Sequence, residues 1–245
     1  MLIPKGMKGL YSDATIVEVK LEKCRDWQGY SYTEDGWHYF SALIKEYLEN
    51  PALTYEESIL RKYYKKFQPK SWQECFCFDE EEQLQPISRG WPPLPWEAAI
   101  KNNIGKSVII ENSINDNQHY GPNSDVFGRK EFERTINIYK KLEKEGYQPE
   151  SNRDGYIRGY YLKKKNDYRF KVTAGQHRIA ALGILSYENI KVRIQKNTER
   201  VVDIKNIKNW PNVCNGEYDV KLAIQIFEYY FNKNGREKAK KIGLL

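Results

Sequence analysis

Several features are missing from this chain of 245 residues, and each absence removes a class of protein. No apolar run approaches the roughly 20 consecutive residues that a membrane-spanning helix needs. The opening residues, MLIPKGMKGLYSD, lack the apolar stretch of a secretory signal, so the expected compartment is the cytoplasm and no membrane partner is expected. Cysteine is sparse, with only Cys24, Cys75, Cys77 and Cys214. Cys75 and Cys77 form one Cys-x-Cys pair, and no second pair completes a zinc site, so no metal-ligand set is expected. On a strand those two thiols would face one core. No low-complexity linker divides the chain.

The composition suits a folded protein, with 40% apolar and 30% charged residues. The formal net charge is +7, and it is unevenly spread. Residues 71–100 carry six acids and one base, whereas residues 153–200 carry twelve Lys/Arg and four Asp/Glu. A basic stretch of that kind suits a phosphate-bearing ligand, either a nucleotide or a nucleic acid. A solvated basic surface accounts for it equally well.

Three regions can be distinguished. Residues 1–70 form an accessory N-terminal region, with a strand expected over 14–22 and helices over 39–48 and 55–67. Pro51 separates the helices and Pro69 ends the second. His38, between Trp37 and Tyr39, reads as a packed or surface histidine rather than a ligand. Residues 71–200 form the main domain. Its early part contains Trp91-Pro-Pro-Leu-Pro-Trp96-Glu97, a stiff aromatic segment that excludes regular helix. Glu97 is either a base whose pKa burial has raised or an exposed carboxylate opening a short helix. Gly105-Lys106-Ser107 resembles the end of a phosphate-binding loop, but the earlier glycine is absent at the required spacing. A helix is expected over 130–145, stopped by Gly146 and kept from resuming by Pro149. Strands are expected over 156–162 and 169–173, joined as a hairpin by the charged loop 163–167. The first places tyrosines on both faces, as sheet packing requires. Residues 201–245 form a helical extension, with a helix over 219–231 and a frayed basic tail.

The chemistry concentrates where the second strand ends. Ala174-Gly175 breaks the strand, and Gln176-His177-Arg178 opens a helix with Ile179, Leu182 and Leu185 at helical spacing. A helix that starts at a glycine presents unpaired N–H groups, and its dipole favours an anion there. Gly175 leaves room for a phosphate to approach the backbone, while His177 and Arg178 add donors. Residues 175–178 therefore read as a phosphate cradle. For His177 the alternatives are phosphate donor and helix-capping residue.

The order of helix, Glu145-Gly146-Tyr147-Gln148-Pro149, hairpin, Ala174-Gly175-Gln176-His177-Arg178, helix and strand resembles the ParB/sulfiredoxin superfamily. The likeness runs from about Tyr120 to Ile194. The flanks, Trp96-Glu97, Tyr120-Gly121-Pro122 and Trp210-Pro211-Asn212-Val213, resemble bacterial proteins associated with surface-polysaccharide gene neighbourhoods. The resemblance implies an α+β fold, a mixed sheet with flanking helices, that binds a nucleotide at the glycine–arginine turn. Sulfiredoxins place a cysteine before His-Arg, and Gln176 stands there, so sulfinic-acid reduction is not expected. DNA-partitioning members add a helix-turn-helix, for which the residues after Ile194 show no recognition pair. Another branch phosphorylates free serine, with a carboxylate as base.

The expected function is thus an ATP-dependent phosphotransferase acting on a small polar metabolite or sugar. Gly175, Gln176, His177 and Arg178 would bind the phosphates of ATP or another nucleoside triphosphate. Mg2+ would bridge those phosphates, with few protein ligands. Glu97, Asp125 and Asp154 are the candidate bases, with His177 as a further catalytic candidate. The alternative is a nucleotide-gated binding module or a ParB-like DNA-binding protein without catalysis.

Overall fold

The computed structural model describes residues 9–69, 72–76, 94–98, 116–152 and 155–245. A mixed sheet of six strands is covered by helices on both faces, an α+β arrangement. Among the described residues the first elements are β1 (Ile16–Lys20), β2 (Cys24–Arg25), α1 (Tyr39–Glu49), α2 (Ile59–Lys66) and α3 (Trp72–Phe76). The long α4 (Asp125–Glu145) leads to the hairpin β3 (Ile157–Lys164) and β4 (Asp167–Ala174). Then come α5 (Gln176–Ile184), β5 (Asn189–Ile194), β6 (Val201–Asp203), α6 (Pro211–Cys214), α7 (Val220–Asn232) and α8 (Arg236–Lys241). The sheet order is β1-β5-β3-β4-β2, and β6 also pairs with β3. No helix among the described residues is long and apolar enough to cross a membrane.

Strand alternation divides the interior into two cores. Ile157 and Tyr161 of β3, with Tyr168, Phe170 and Val172 of β4, face a first core shared with α1, α2, α4 and α5. Tyr160 and Leu162 point the other way, into a second core with Trp96, Trp210 and α7. The tyrosines expected on both faces of β3 are therefore buried, one in each core.

The region 1–70 is not an appendage to this sheet. In β1 the pattern IVEVK turns Val17 and Val19 inward, and the strand pairs antiparallel with β5. β2 adds the opposite edge, parallel to β4. α1 packs on α5 and α4, and Gly183 of α5 lets the chain ahead of α1 pass close by, since a Cβ there would run into the Tyr32 carbonyl. His38 caps α1, accepting from Phe40 N–H at 3.2 Å through Nδ1, and its ring stacks on Tyr39 at 4.3 Å. α4 starts five residues before the expected position, because Ser124 caps it by accepting from Phe127 N–H at 3.2 Å. It ends at Gly146, whose φ of 72° completes the stop.

The tail also departs from expectation. Residues 236–241 form α8, and Lys238 is buried beneath it. Its ammonium donates to Gln28 Oε1 at 3.0 Å and to the Cys75 carbonyl, and lies over the rings of Tyr30 and Phe67. Cation–ring attraction thus holds a segment whose lysine-rich sequence suggests solvent. Cys75 lies buried in α3, a helix rather than a strand, while Cys77 falls outside the described residues.

Candidate functional site

α5 opens as the sequence requires. Gly175 takes φ 96°, a left-handed conformation, directly after the last residue of β4. No side chain caps the helix, so its first N–H groups have no side-chain acceptor within it. The side chains that follow, however, turn to the interior. Gln176 is buried, with Oε1 accepting from the Tyr32 hydroxyl and Nε2 donating to the Val172 carbonyl at 3.2 Å.

His177 is buried as well, stacked on Phe40 with ring centroids 4.1 Å apart. Its Nε2 lies 3.0 Å from Glu131 Oε2 on α4. Burial lowers its pKa more than the Glu131 carboxyl raises it, so the ring is neutral and Nε2–H is the donor. Arg178 keeps to the outside, with Nη1 donating to the Gly155 carbonyl. That bond sets the guanidinium about where a Gly175 side chain would lie, 3.1 Å from the position of a Cβ. The turn thus offers backbone N–H groups and one guanidinium, while its amide is tied to Tyr32 and β4 and its imidazole packs α5 against α4 and α1.

Two of the candidate carboxylates, Asp125 and Glu97, lie on different faces of the sheet. Asp125 opens α4, where Arg61 donates to Oδ1 at 3.3 Å and to Oδ2 at 3.1 Å. Those bonds lower its pKa. It precedes Glu131 by six residues, or roughly 9 Å along the helix. Asp154 and Gly105-Lys106-Ser107 fall outside the described residues.

Glu97 stands on the second face of the sheet, at a cleft of about 740 Å³. Its Oε1 accepts from Lys171 Nζ at 3.0 Å and from the Tyr160 hydroxyl at 2.9 Å, and its Oε2 from Leu94 N–H at 3.1 Å. Burial pushes its pKa up, but the Lys171 charge and these donors outweigh it and hold the carboxyl below the usual range. Trp96 Nε1 donates to the same Tyr160 hydroxyl at 2.8 Å. A carboxylate so engaged anchors residues 94–98 to the sheet and has a low basicity for proton abstraction.

The other walls of the cleft come from β3, the end of β4, the loop between β5 and β6, Val202 of β6, and Asn209 and Pro211 after it. Arg158, Thr173, Ala174, Asn197, Thr198 and Glu199 line it. The loop residues carry no recognisable pattern in the sequence. Lys171 could have been found, because it is a charged residue between Phe170 and Val172 in a strand whose other face is apolar. Glu199 carries a carboxyl whose pKa is raised by burial and by nearby Asp203. Thr173 and Ala174 border the cleft, and the next residue, Gly175, opens α5, so the two features adjoin along the chain.

Among the described residues no group of three His, Cys, Asp or Glu side chains is placed to hold a metal ion. No protein-family model matches the chain, and no curated protein or solved structure matches it.

Proposed function

We propose that the protein binds a nucleoside triphosphate at the opening of α5 and transfers a phosphoryl group to a small polar acceptor. The observation that carries this reading is left-handed Gly175, starting a nine-residue helix with Arg178 held beside it. Backbone N–H groups and the helix dipole attract phosphate there, and Arg178 adds a fork of donors. The phosphate contacts fall to the backbone and Arg178, whereas Gln176 and His177 support the turn from behind. Magnesium would be carried chiefly by the phosphates, and positioned donors would stabilise the charge developing in transfer.

A second reading is a nucleotide-gated binding module without catalysis, or a DNA-binding protein of the partitioning type. The first of these is favoured by the state of two candidate bases, since Asp125 and Glu97 are both held by cationic partners and lowered in pKa.

Calorimetry with ATP, ADP and CTP, with and without Mg2+, tests the shared premise. Saturable binding that Arg178→Ala removes, with the fold intact, supports the turn. No binding by any of the three overturns both nucleotide readings. Turnover of bound ATP in the presence of a pool of hydroxylated metabolites separates transfer from gating. DNA retention that depends on salt and ignores nucleotide favours the DNA-binding reading.

A further inference from the structure

The cleft on the second face has a construction of its own. β5 and β6 both pair parallel with β3, β5 over Ile157 to Gly159 and β6 over Tyr161 to Lys163. Between them residues 195–200 leave the sheet and return to the same strand. The departure is fixed by Gln195 N–H donating to the Gly159 carbonyl at 2.8 Å. The return is fixed by Tyr161 N–H donating to the Arg200 carbonyl at 2.9 Å. Thr198 donates to the Gln195 carbonyl at 3.1 Å, and Asn197 takes a left-handed φ of 59°. Arg200 ties the far end to the Gly9 and Ala14 carbonyls at 2.7 and 2.9 Å. A six-residue detour pinned at both ends fixes the course of its backbone before any ligand arrives.

The groups around the cleft differ sharply in how they are engaged. Glu97, Lys171 and Tyr160 satisfy one another. Arg158, Asn197, Glu199 and Asn209 make no side-chain hydrogen bond or ion pair among the described residues. Thr173 donates to Gln195 Oε1 at 3.0 Å and keeps acceptor capacity. The cleft's volume lies within the roughly 300–1,000 Å³ typical of small-molecule sites. Among the described residues around the cleft, Arg158 is an unengaged cation, matched by the Glu199 carboxylate, the amides of Asn197 and Asn209, and threonine hydroxyls.

We propose that this cleft is a binding site for a small hydroxylated molecule bearing one anionic group, a hydroxy acid or a sugar phosphate. Arg158 takes the anion, because a guanidinium fork matches the paired oxygens of a carboxylate or phosphate. Glu199, Asn197 and Asn209 take the hydroxyls, with the carboxylate accepting and the amides serving either role. Glu97 is already neutralised by Lys171, so it does not repel the anion. The site stands whether or not a nucleotide binds at α5.

The test is calorimetry on the full chain with four probes: D-glycerate, sn-glycerol 3-phosphate, glucose 6-phosphate and uncharged glycerol. Saturable binding of at least one anionic probe is expected, and preference among them separates carboxylate from phosphate. Glycerol should bind at least tenfold more weakly. Arg158→Ala should weaken the anionic probe tenfold or more, and Glu199→Gln several-fold, with thermal midpoints unchanged. Arg178→Ala should leave probe binding as it is, which keeps this result separate from the nucleotide test. No saturation by any anionic probe up to about 10 mM, a binding energy below about 3 kcal/mol, overturns the proposal. Binding that survives Arg158→Ala, or glycerol binding as tightly as its phosphate, overturns it equally.

Discussion

The two faces of the sheet use polar side chains in opposite ways. On the first face, Gln176, His177 and Glu131 are buried and spend their hydrogen bonds on one another's helices and on the strand beneath. On the second face, Arg158, Asn197 and Glu199 border the cleft and make no side-chain hydrogen bond or ion pair among the described residues. The face with the more recognisable sequence pattern is the more finished one. A motif of polar residues can be kept by packing as readily as by chemistry, because a buried polar group needs partners as much as a ligand does.

That contrast can be broken from the first face most forcefully by acid. His38, His119 and His177 are all buried, and burial lowers the pKa of each. Their unfolded value is 6.5, so the unfolded chain takes up protons below that pH while the folded chain resists them. Stability present above pH 6.5 is lost as pH falls, and each histidine that stays neutral costs about 1.4 kcal/mol per pH unit. Buried Asp26 works against them, since its pKa is pushed up to about 7 by desolvation, from 3.8. Between those two values the folded state holds the extra proton on Asp26, which offsets one histidine. Urea unfolding from pH 7.5 to 4.5 should show stability falling throughout the acid limb. His38→Asn should flatten that limb, and a flat profile for the parent protein would remove the histidines' claimed role.

His177→Ala comes next. It leaves Glu131 buried without its donor and strips the ring from Phe40, at a cost of about 3 kcal/mol in chemical denaturation. A loss under about 0.5 kcal/mol would show that His177 is free to serve a ligand. Gly175→Ala should cost about 1–2 kcal/mol, because φ there is left-handed and a Cβ would sit 3.0 Å from Ile157 Cγ1. The smallest effects belong to the second face, where Arg158→Ala and Glu199→Gln should change stability by no more than about 0.5 kcal/mol. Differential scanning calorimetry on these variants side by side would show whether the two faces differ as described.

Much of this architecture is legible in the sequence where periodicity is strong. α4, the β3–β4 hairpin, α5 and α7 follow from apolar spacing and from the stops at Gly146 and Gly175. The relation of residues 1–70 to the sheet is not legible, because a short alternating strand such as IVEVK states that it has a buried face but not which sheet it joins. α8 escapes for a different reason, since what buries Lys238 is a pair of rings distant in the chain. At the site, the turn at Gly175 could be placed from local residues. The inward course of His177 could not, because it depends on Glu131, 46 residues earlier. Glu97 could be singled out by its aromatic surroundings, but its neutralisation by Lys171 joins residues 74 apart. Arg158 and Glu199 carry no local sign of a site, and only the closure of one strand edge by two others brings them together.

The detour at residues 195–200 also separates two kinds of inheritance in the chain. Its ends are fastened to neighbouring positions of β3, so its length and content are independent of the register of β5 and β6. Doubling such a segment costs only about 0.6 kcal/mol in closure entropy. Extra length between the two pins can therefore be taken up while the sheet that carries the loop keeps its register, a cassette mounted on a fixed frame.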